Sequence, residues 1–367
     1  MGDILLVSKP VVPPWNDSSK NLVRDLARHL SGHRLHVMVC TGAPAEPLGD
    51  AHQERVYGRP RAFAPAPVDH ARVLGRLLLG PAPDILHFFF APNPKTSGAA
   101  RLCVRARRRP SIQTVCSAPS EQYAPSRVLF GDRIVVLSRH TWSRFVDAGI
   151  PEERLVQIPP CIPAHPAPED IRLRAVRRQH QLPEGAPILV YPGDLEFSAG
   201  ADRSLEALAD CGHGAHLVIA SRAKTRRAHE RAVVLQKRAQ ALGIGGRVSF
   251  AGEVTDMHAL LALATVVLLP AETLYAKMDL PLAVLEAMLF ERPVVVLKGS
   301  PAAELTVQGG AQAVAAERDA IGDVVSRLLE DVEGRRELGR RARAQVLKDH
   351  APSTMAERYR MLYDALT

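Results

Sequence analysis

Short, mainly apolar runs alternate along the chain with amphipathic stretches. Residues 4–7, 35–39, 85–90, 112–115, 134–137 and 155–158 read as buried strands. Between the first two, Leu22, Leu26 and Leu30 recur at fourfold spacing. Asp17, Ser18 or Ser19 can cap that helix and Gly32 ends it, which makes a βαβ unit. The stretch IPPCIPAHPAP at 158–168 then places five prolines in eleven residues, incompatible with a helix or a central strand, and reads as a linker. After it the pattern restarts. Apolar runs at 188–191, 217–220, 248–250, 266–269 and 294–297 alternate with helical stretches at 205–209, 229–242, 257–264 and 283–289. A last amphipathic stretch, 355–366, follows Pro352. Continuous apolar runs mark strands covered on both faces, so the pattern predicts an α/β fold of two doubly wound parallel sheets. Ligands of such sheets bind at the carboxyl ends of the strands, here expected in a cleft between two facing domains.

The length of 367 residues suits two domains. Aromatic residues are only 5%, so Ala, Val, Leu and Ile must fill the core. No apolar run reaches the roughly 18 to 20 residues that span a bilayer. A strand beginning at residue 3 or 4 leaves no room for a secretory signal, and Leu6 stands where N-myristoylation requires Ser or Thr. Five scattered cysteines form neither a disulfide framework nor a zinc pattern. A cytoplasmic protein is the expectation. The net charge of +8 favours anionic partners, and five basic residues cluster in each of the runs 101–109 and 222–231. A solvated helix face is the plain alternative for either run. Nucleic-acid binding is not expected, because interleaved aromatics and recognition motifs are missing. A P-loop, a GxGxxG after the first strand, HExxH and GxSxG are all missing from the sequence, and no DxD pair marks a metal site.

Several segments carry a resemblance. They are RVSFAGEV (247–254), MHALLALATVVLLPAE (257–272), LPLAVLEAMLFERPVVV (280–296) and the tail DAIGDVVSRLLEDVEGRRELGRRARAQV (319–346); in the first half, DRIVVLSRHTWSRFVDAGIPEERLVQIPP (132–160) joins them. Together they resemble glycosyltransferase family 4, retaining enzymes of the GT-B architecture with two facing Rossmann-like domains. The resemblance implies an acceptor-side domain over 1–165, with the helix at 353–367 packing back on it, and a donor-binding domain over 166–352.

It also implies a site. A nucleotide diphosphate sugar offers ribose hydroxyls, a diphosphate with about two negative charges, and a polyhydroxyl sugar. Binding it calls for a carboxylate, cations or amides, and polar groups respectively. Glu286, in LEAM, would accept from the ribose. The backbone through Met278, Leu280, Pro281 and Leu282 would present amides to phosphate at the start of the next helix. Lys277 and Asp279 are the catalytic candidates. Met278 occupies the position of the family's sugar-binding glutamate, eight residues before Glu286, and Asp279 is its possible stand-in. The family's glycine-arginine loop reads YPGDLEFSAGAD here, retaining Gly193 but placing Asp194 and Ala199 where a diphosphate-binding arginine and lysine stand. An aspartate at that point repels a diphosphate by several kcal/mol at short range. Arg222 and Lys224, with Lys277, are the compensating cations, an ordinary basic rim being the other reading. In the first half, Asp17, Ser18, Ser19, Cys116 and Ser117 are candidate acceptor-side groups. His87 either joins them or belongs to the core.

The expected function is transfer of a sugar, with retention, from a nucleotide sugar co-substrate to a hydroxyl acceptor in polysaccharide, glycolipid or glycoside synthesis. No metal or cofactor is expected for catalysis. A peripheral contact with an anionic membrane would suit glycolipid acceptors. A non-catalytic nucleotide-binding or scaffold subunit is the alternative, motivated by Met278, Asp194 and Ala199.

Overall fold

A computed structural model describes residues 1–59, 65–120, 122–275 and 277–367. The chain divides into two compact units. The first comprises Met1–Pro163, Tyr275–Leu280 and Asp349–Thr367, the second Ala164–Leu274 and Pro281–Lys348. The first boundary falls inside the proline-rich stretch.

In the first unit, β1 (Asp3–Val7), β2 (Arg34–Cys40), β3 (His52–Tyr57), β4 (Ile85–Phe89), β5 (Ser111–Val115), β6 (Arg133–Val136) and β7 (Leu155–Gln157) form one parallel sheet in the order β3-β2-β1-β4-β5-β6-β7. The central strands are buried along their whole length, as the apolar runs require. Helices α1 (Ser18–His29), α2 (Pro67–Leu79), α3 (Pro94–Arg107), α4 (Pro125–Val128) and α5 (Arg139–Asp147) connect them. Strand β3 escaped the sequence reading. Its sequence HQERVY carries no apolar run because it is an edge strand with little to bury, and it pairs with β2 in a register that sets His36 opposite His52.

The second unit carries α6 (Asp170–Gln179), β8 (Ile188–Tyr191), α7 (Gly200–Asp210), β9 (His216–Ile219), α8 (Arg226–Ala241), β10 (Val248–Phe250), α9 (Met257–Leu263), β11 (Val266–Leu269), α10 (Leu282–Leu289), β12 (Val294–Leu297), β13 (Gln312–Val314) and α11 (Arg318–Glu330). Its six parallel strands run in the order β10-β9-β8-β11-β12-β13. Helix α12 (Val332–Asp349) follows, and α13 (Pro352–Asp364) packs against α1 in the first unit. Tyr359 and Tyr363 of α13 are fully buried there. Among the described residues, no helix is long and apolar enough to cross a membrane.

Candidate functional site

Helix α10 is apolar almost all round. Leu282, Val284, Leu285, Ala287, Met288 and Leu289 are buried, and only Ala283 and Glu286, one turn apart, are partly open to solvent. A helix buried on every side but one stripe is a rigid mount, and it fixes where the Glu286 carboxylate stands. No side chain caps its amino end, where Pro281 and Leu282 begin the second unit's share of the chain. Glu286 Oε1 lies 3.4 Å from His258 Nε2 on α9. The hydrogen bond His258 donates to Glu286, aided by the charges of Glu286 and Asp256, raises the imidazole above its ordinary value against the opposing effects of burial and Arg172. Asp256 in turn caps α9 at the Ala259 amide and is gripped by Arg172 in a two-bond fork at 2.7 and 2.8 Å. The His165 ring lies against that of His258 at a tilt of 42°, with centroids 4.6 Å apart. His258 carries no local mark, since it sits in an ordinary helix-start context.

The loop after β8 is organised around Tyr191. Its ring is fully buried and its hydroxyl donates to the Asp194 carbonyl at 2.7 Å. Gly193 lies against that ring: a Cβ there would come within 2.3 Å of it, so the glycine answers to packing. Asp194 turns its carboxylate onto its own loop, where Oδ1 accepts from the amides of Glu196 at 2.7 Å and Phe197 at 2.6 Å. The Ala199 amide donates to Glu272 at 3.0 Å, and Arg203 pairs with the same carboxylate. Loop amides that could face an anion are thus met by two carboxylates of the protein itself.

Arg222 follows β9 and pairs with Glu253 at 3.1 Å, its side chain 17% exposed. Lys224 is exposed two residues on. Thr225 caps α8 at the Ala228 amide and donates to Glu196 at 2.6 Å, tying this basic segment to the loop after β8. The rest of the basic run is mainly structural: Arg231 pairs with Asp202, and Arg226 with Glu230.

The first unit holds the remaining candidates. Asp17 caps α1, accepting from the Ser19 amide and hydroxyl and the Lys20 amide, and pairs with Lys9 at 2.7 Å. Burial pushes its carboxyl up, but Lys9 and these hydrogen bonds outweigh that and hold it at about 2. Ser18 opens the helix beside it, half-buried. Cys116 and Ser117, just past β5, are buried; burial, reinforced by the Asp17 charge and opposed by Lys9, pushes the Cys116 thiol up to about 12. His87 is fully buried. Its Nδ1 meets the Tyr363 hydroxyl at 2.6 Å and its Nε2 the Thr114 hydroxyl at 2.8 Å, so both ring nitrogens are engaged in the core and neither can serve an acceptor.

Asp279 lies just ahead of α10, between Met278 and Leu280. It is 2% exposed, and its Oδ2 accepts from Ser138 Oγ at 2.7 Å and Thr141 Oγ1 at 2.5 Å at the amino end of α5. Its Oδ1 is buried with no hydrogen-bond partner. Burial raises its carboxyl, while Thr141, Ser138, His140 and Arg144 pull the other way. Met278 and Leu280 on either side are also buried, and Lys277 is half-buried. Residues 277–280 are therefore held by the hydrogen bonds that the Asp279 carboxylate accepts from Ser138 and Thr141.

Residues 174–345 match the family described as Glycosyl transferases group 1. No curated protein matches the chain in sequence. Among solved structures, HepE of Anabaena in complex with UDP and glucose superposes with a TM-score of 0.79 at 16% identity, covering 100% of both chains. Sucrose-phosphate synthase from Thermosynechococcus elongatus gives 0.75 at 18% identity, over 100% of this chain and 99% of that one. WaaG, a glycosyltransferase involved in lipopolysaccharide biosynthesis, gives 0.66 at 16%, over 100% and 99%. Residues 174–345 thus match the group 1 glycosyltransferase model, and the chain as a whole has the two-sheet α/β fold of the GT-B glycosyltransferase structures.

Proposed function

We propose that the protein is a glycosyltransferase that moves a sugar, a hexose or a close relative, from a nucleotide diphosphate sugar to a hydroxyl acceptor with retention, in polysaccharide, glycolipid or glycoside synthesis. The observation that carries this reading is Glu286: the one acidic side chain left open on an otherwise buried α10, inside the group 1 domain. Its carboxylate would accept from the two ribose hydroxyls, with His258 holding it in place. Leu282, at the uncapped start of α10, would offer its amide to phosphate, and Arg222 and Lys224 would supply positive charge in the same unit. The UDP and UDP-glucose complexes of HepE support the donor class. No resident metal or cofactor has a part in the proposed chemistry.

Calorimetry with UDP, GDP and ADP, followed by a screen of their sugars for nucleotide release, tests the proposal. Binding of one nucleotide and its release from the matching sugar are expected. No binding of any nucleotide at millimolar concentration would end it.

A specific observation favours a second reading, a nucleotide-binding subunit without catalysis. Asp194 and Glu272 fill the loop amides after β8, and buried Met278 stands in the place of the sugar-binding glutamate. Nucleotide binding with no turnover of any sugar would decide for it.

The reading also includes peripheral contact with an anionic membrane. Arg107 at the end of α3 bonds to the Leu77 and Gly80 carbonyls at the end of α2, both at 2.5 Å. This sets exposed Leu78 and Leu79 beside the exposed Arg105, Arg108 and Arg109. Exposed apolar side chains with cations on the adjoining helix end suit the interface of a negatively charged bilayer.

A further inference from the structure

A cluster unrelated to the donor candidates lies at the free edge of the first sheet. His36 on β2 and His52 on the edge strand β3 are direct cross-strand partners, so their side chains leave the sheet on one face. Their ring centroids are 5.4 Å apart. Glu54, two residues beyond His52, returns to that face, and its Oε1 lies 3.0 Å from His36 Nδ1. One nitrogen from each imidazole and one Glu54 oxygen lie within 4.8 Å of one another. Arg76 donates to both Glu54 oxygens, to Oε2 at 2.5 Å and to Oε1 at 2.8 Å, and Asp3 Oδ1 stands 3.5 Å from His36 Nε2. His52 is exposed, whereas His36 and Glu54 are partly covered, with side chains 20% and 14% exposed.

We propose that His36 and His52, with a Glu54 oxygen as third ligand, form a binding site for a divalent transition-metal ion of the zinc and nickel class. Two imidazoles and a carboxylate suit these ions, whereas magnesium and calcium prefer oxygen throughout. Metal–nitrogen bonds of about 2.0–2.1 Å place tetrahedral ligands about 3.3 Å apart. The His52 ring, open to solvent, closes the remaining gap by turning about its own side-chain bonds. Arg76 and Asp3 supply the outer contacts that orient Glu54 and His36. His36 is the third residue of β2 and His52 the first of β3, so the site lies toward the amino ends of these strands, remote from the carboxyl ends where Asp17 and Cys116 lie. A bound ion would cross-link the sheet's edge strand to its neighbour, a structural role independent of sugar transfer.

Tag-free full-length protein, dialysed against chelator, is titrated with zinc chloride and with nickel chloride by calorimetry, beside His52→Ala and His36→Ala. One ion per chain is expected for the parent, with affinity falling at least about tenfold in each variant. Added zinc should raise the melting temperature of the parent and not of His52→Ala. Magnesium should give no heat. Equal titrations for the parent and His52→Ala, or no binding by the parent, overturn the proposal. Because His52 is solvent-exposed, that variant carries the test even if His36→Ala fails to fold.

Discussion

Glu286 Oε1 and His258 Nε2 face each other at 3.4 Å, the carboxylate on α10 and the imidazole on α9. Glu286→Ala should weaken nucleotide binding by at least about tenfold, since two charge-assisted hydrogen bonds to the ribose would go. His258→Ala should weaken it less. Calorimetry with the nucleotide that binds the parent protein gives both values.

The same pair has a pH signature. The folded-state value of His258 is raised, so its contribution to stability is full below about pH 6.5 and is lost as the pH climbs through the raised value. Urea unfolding at intervals from pH 5.5 to 8.5 should show the parent losing stability relative to His258→Gln over that range. A constant difference would mean that the imidazole does not gain charge from Glu286.

Asp279 also costs stability as the pH rises, over a lower range. Its carboxyl is raised, so ionisation in the folded state carries a cost that grows as the pH passes from about 4 through the raised value. Asp279→Asn, whose amide can still meet the hydroxyls of Ser138 and Thr141, should therefore gain on the parent protein as the pH rises from 4 to 7. Asp279→Ala should lose about 1–3 kcal/mol, because two buried hydroxyls lose their acceptor. Denaturant midpoints across that pH range measure both.

Asp17 is held at about 2, so its stabilising contribution is present above its unfolded value of 3.8 and disappears as the pH falls from there toward 2. Asp17→Ala should cost about 1–2 kcal/mol at pH 7, combining a lost helix cap with a lost partner for Lys9. Nearby, Cys116 should resist alkylation by iodoacetamide at pH 8 in the native protein, because its thiol stays protonated up to about 12. Mass spectrometry of the native and unfolded protein reads this out.

Vesicles containing anionic lipid should sediment the parent protein, and Leu79→Asp should reduce the bound fraction several-fold. Raising the salt should release the protein, since Arg105, Arg108 and Arg109 contribute by charge. Equal sedimentation of the parent and Leu79→Asp would remove this surface from consideration.

Much of this architecture was legible because a parallel strand covered on both faces is mostly apolar. The runs at 4–7, 188–191 and 266–269 have no other comfortable home. Strands β3 and β13 were not legible for the converse reason: HQERVY and QAV lie at sheet edges and bury too little to leave a pattern. At the site, Glu286 stood out through the residues around it, and Asp17 through cap chemistry. Three things could not be read in one dimension. The packing of Gly193 against the Tyr191 ring is one. The hydroxyl partners of Asp279, some 140 residues away at the start of α5, are another. His258 is positioned by Arg172 through Asp256, a relay that no local spacing reveals.

The two tyrosines of α13 bear on the order in which the chain matures. The Tyr363 hydroxyl meets His87 across 276 positions of sequence, and that of Tyr359 meets Thr114 across 245. A ribosome delivers these partners only after the whole second unit has emerged, so until then the nascent first unit leaves polar groups of two neighbouring central strands without their mates. The domain made first is therefore finished last, and cleavage just ahead of Pro352 would return it to that incomplete condition.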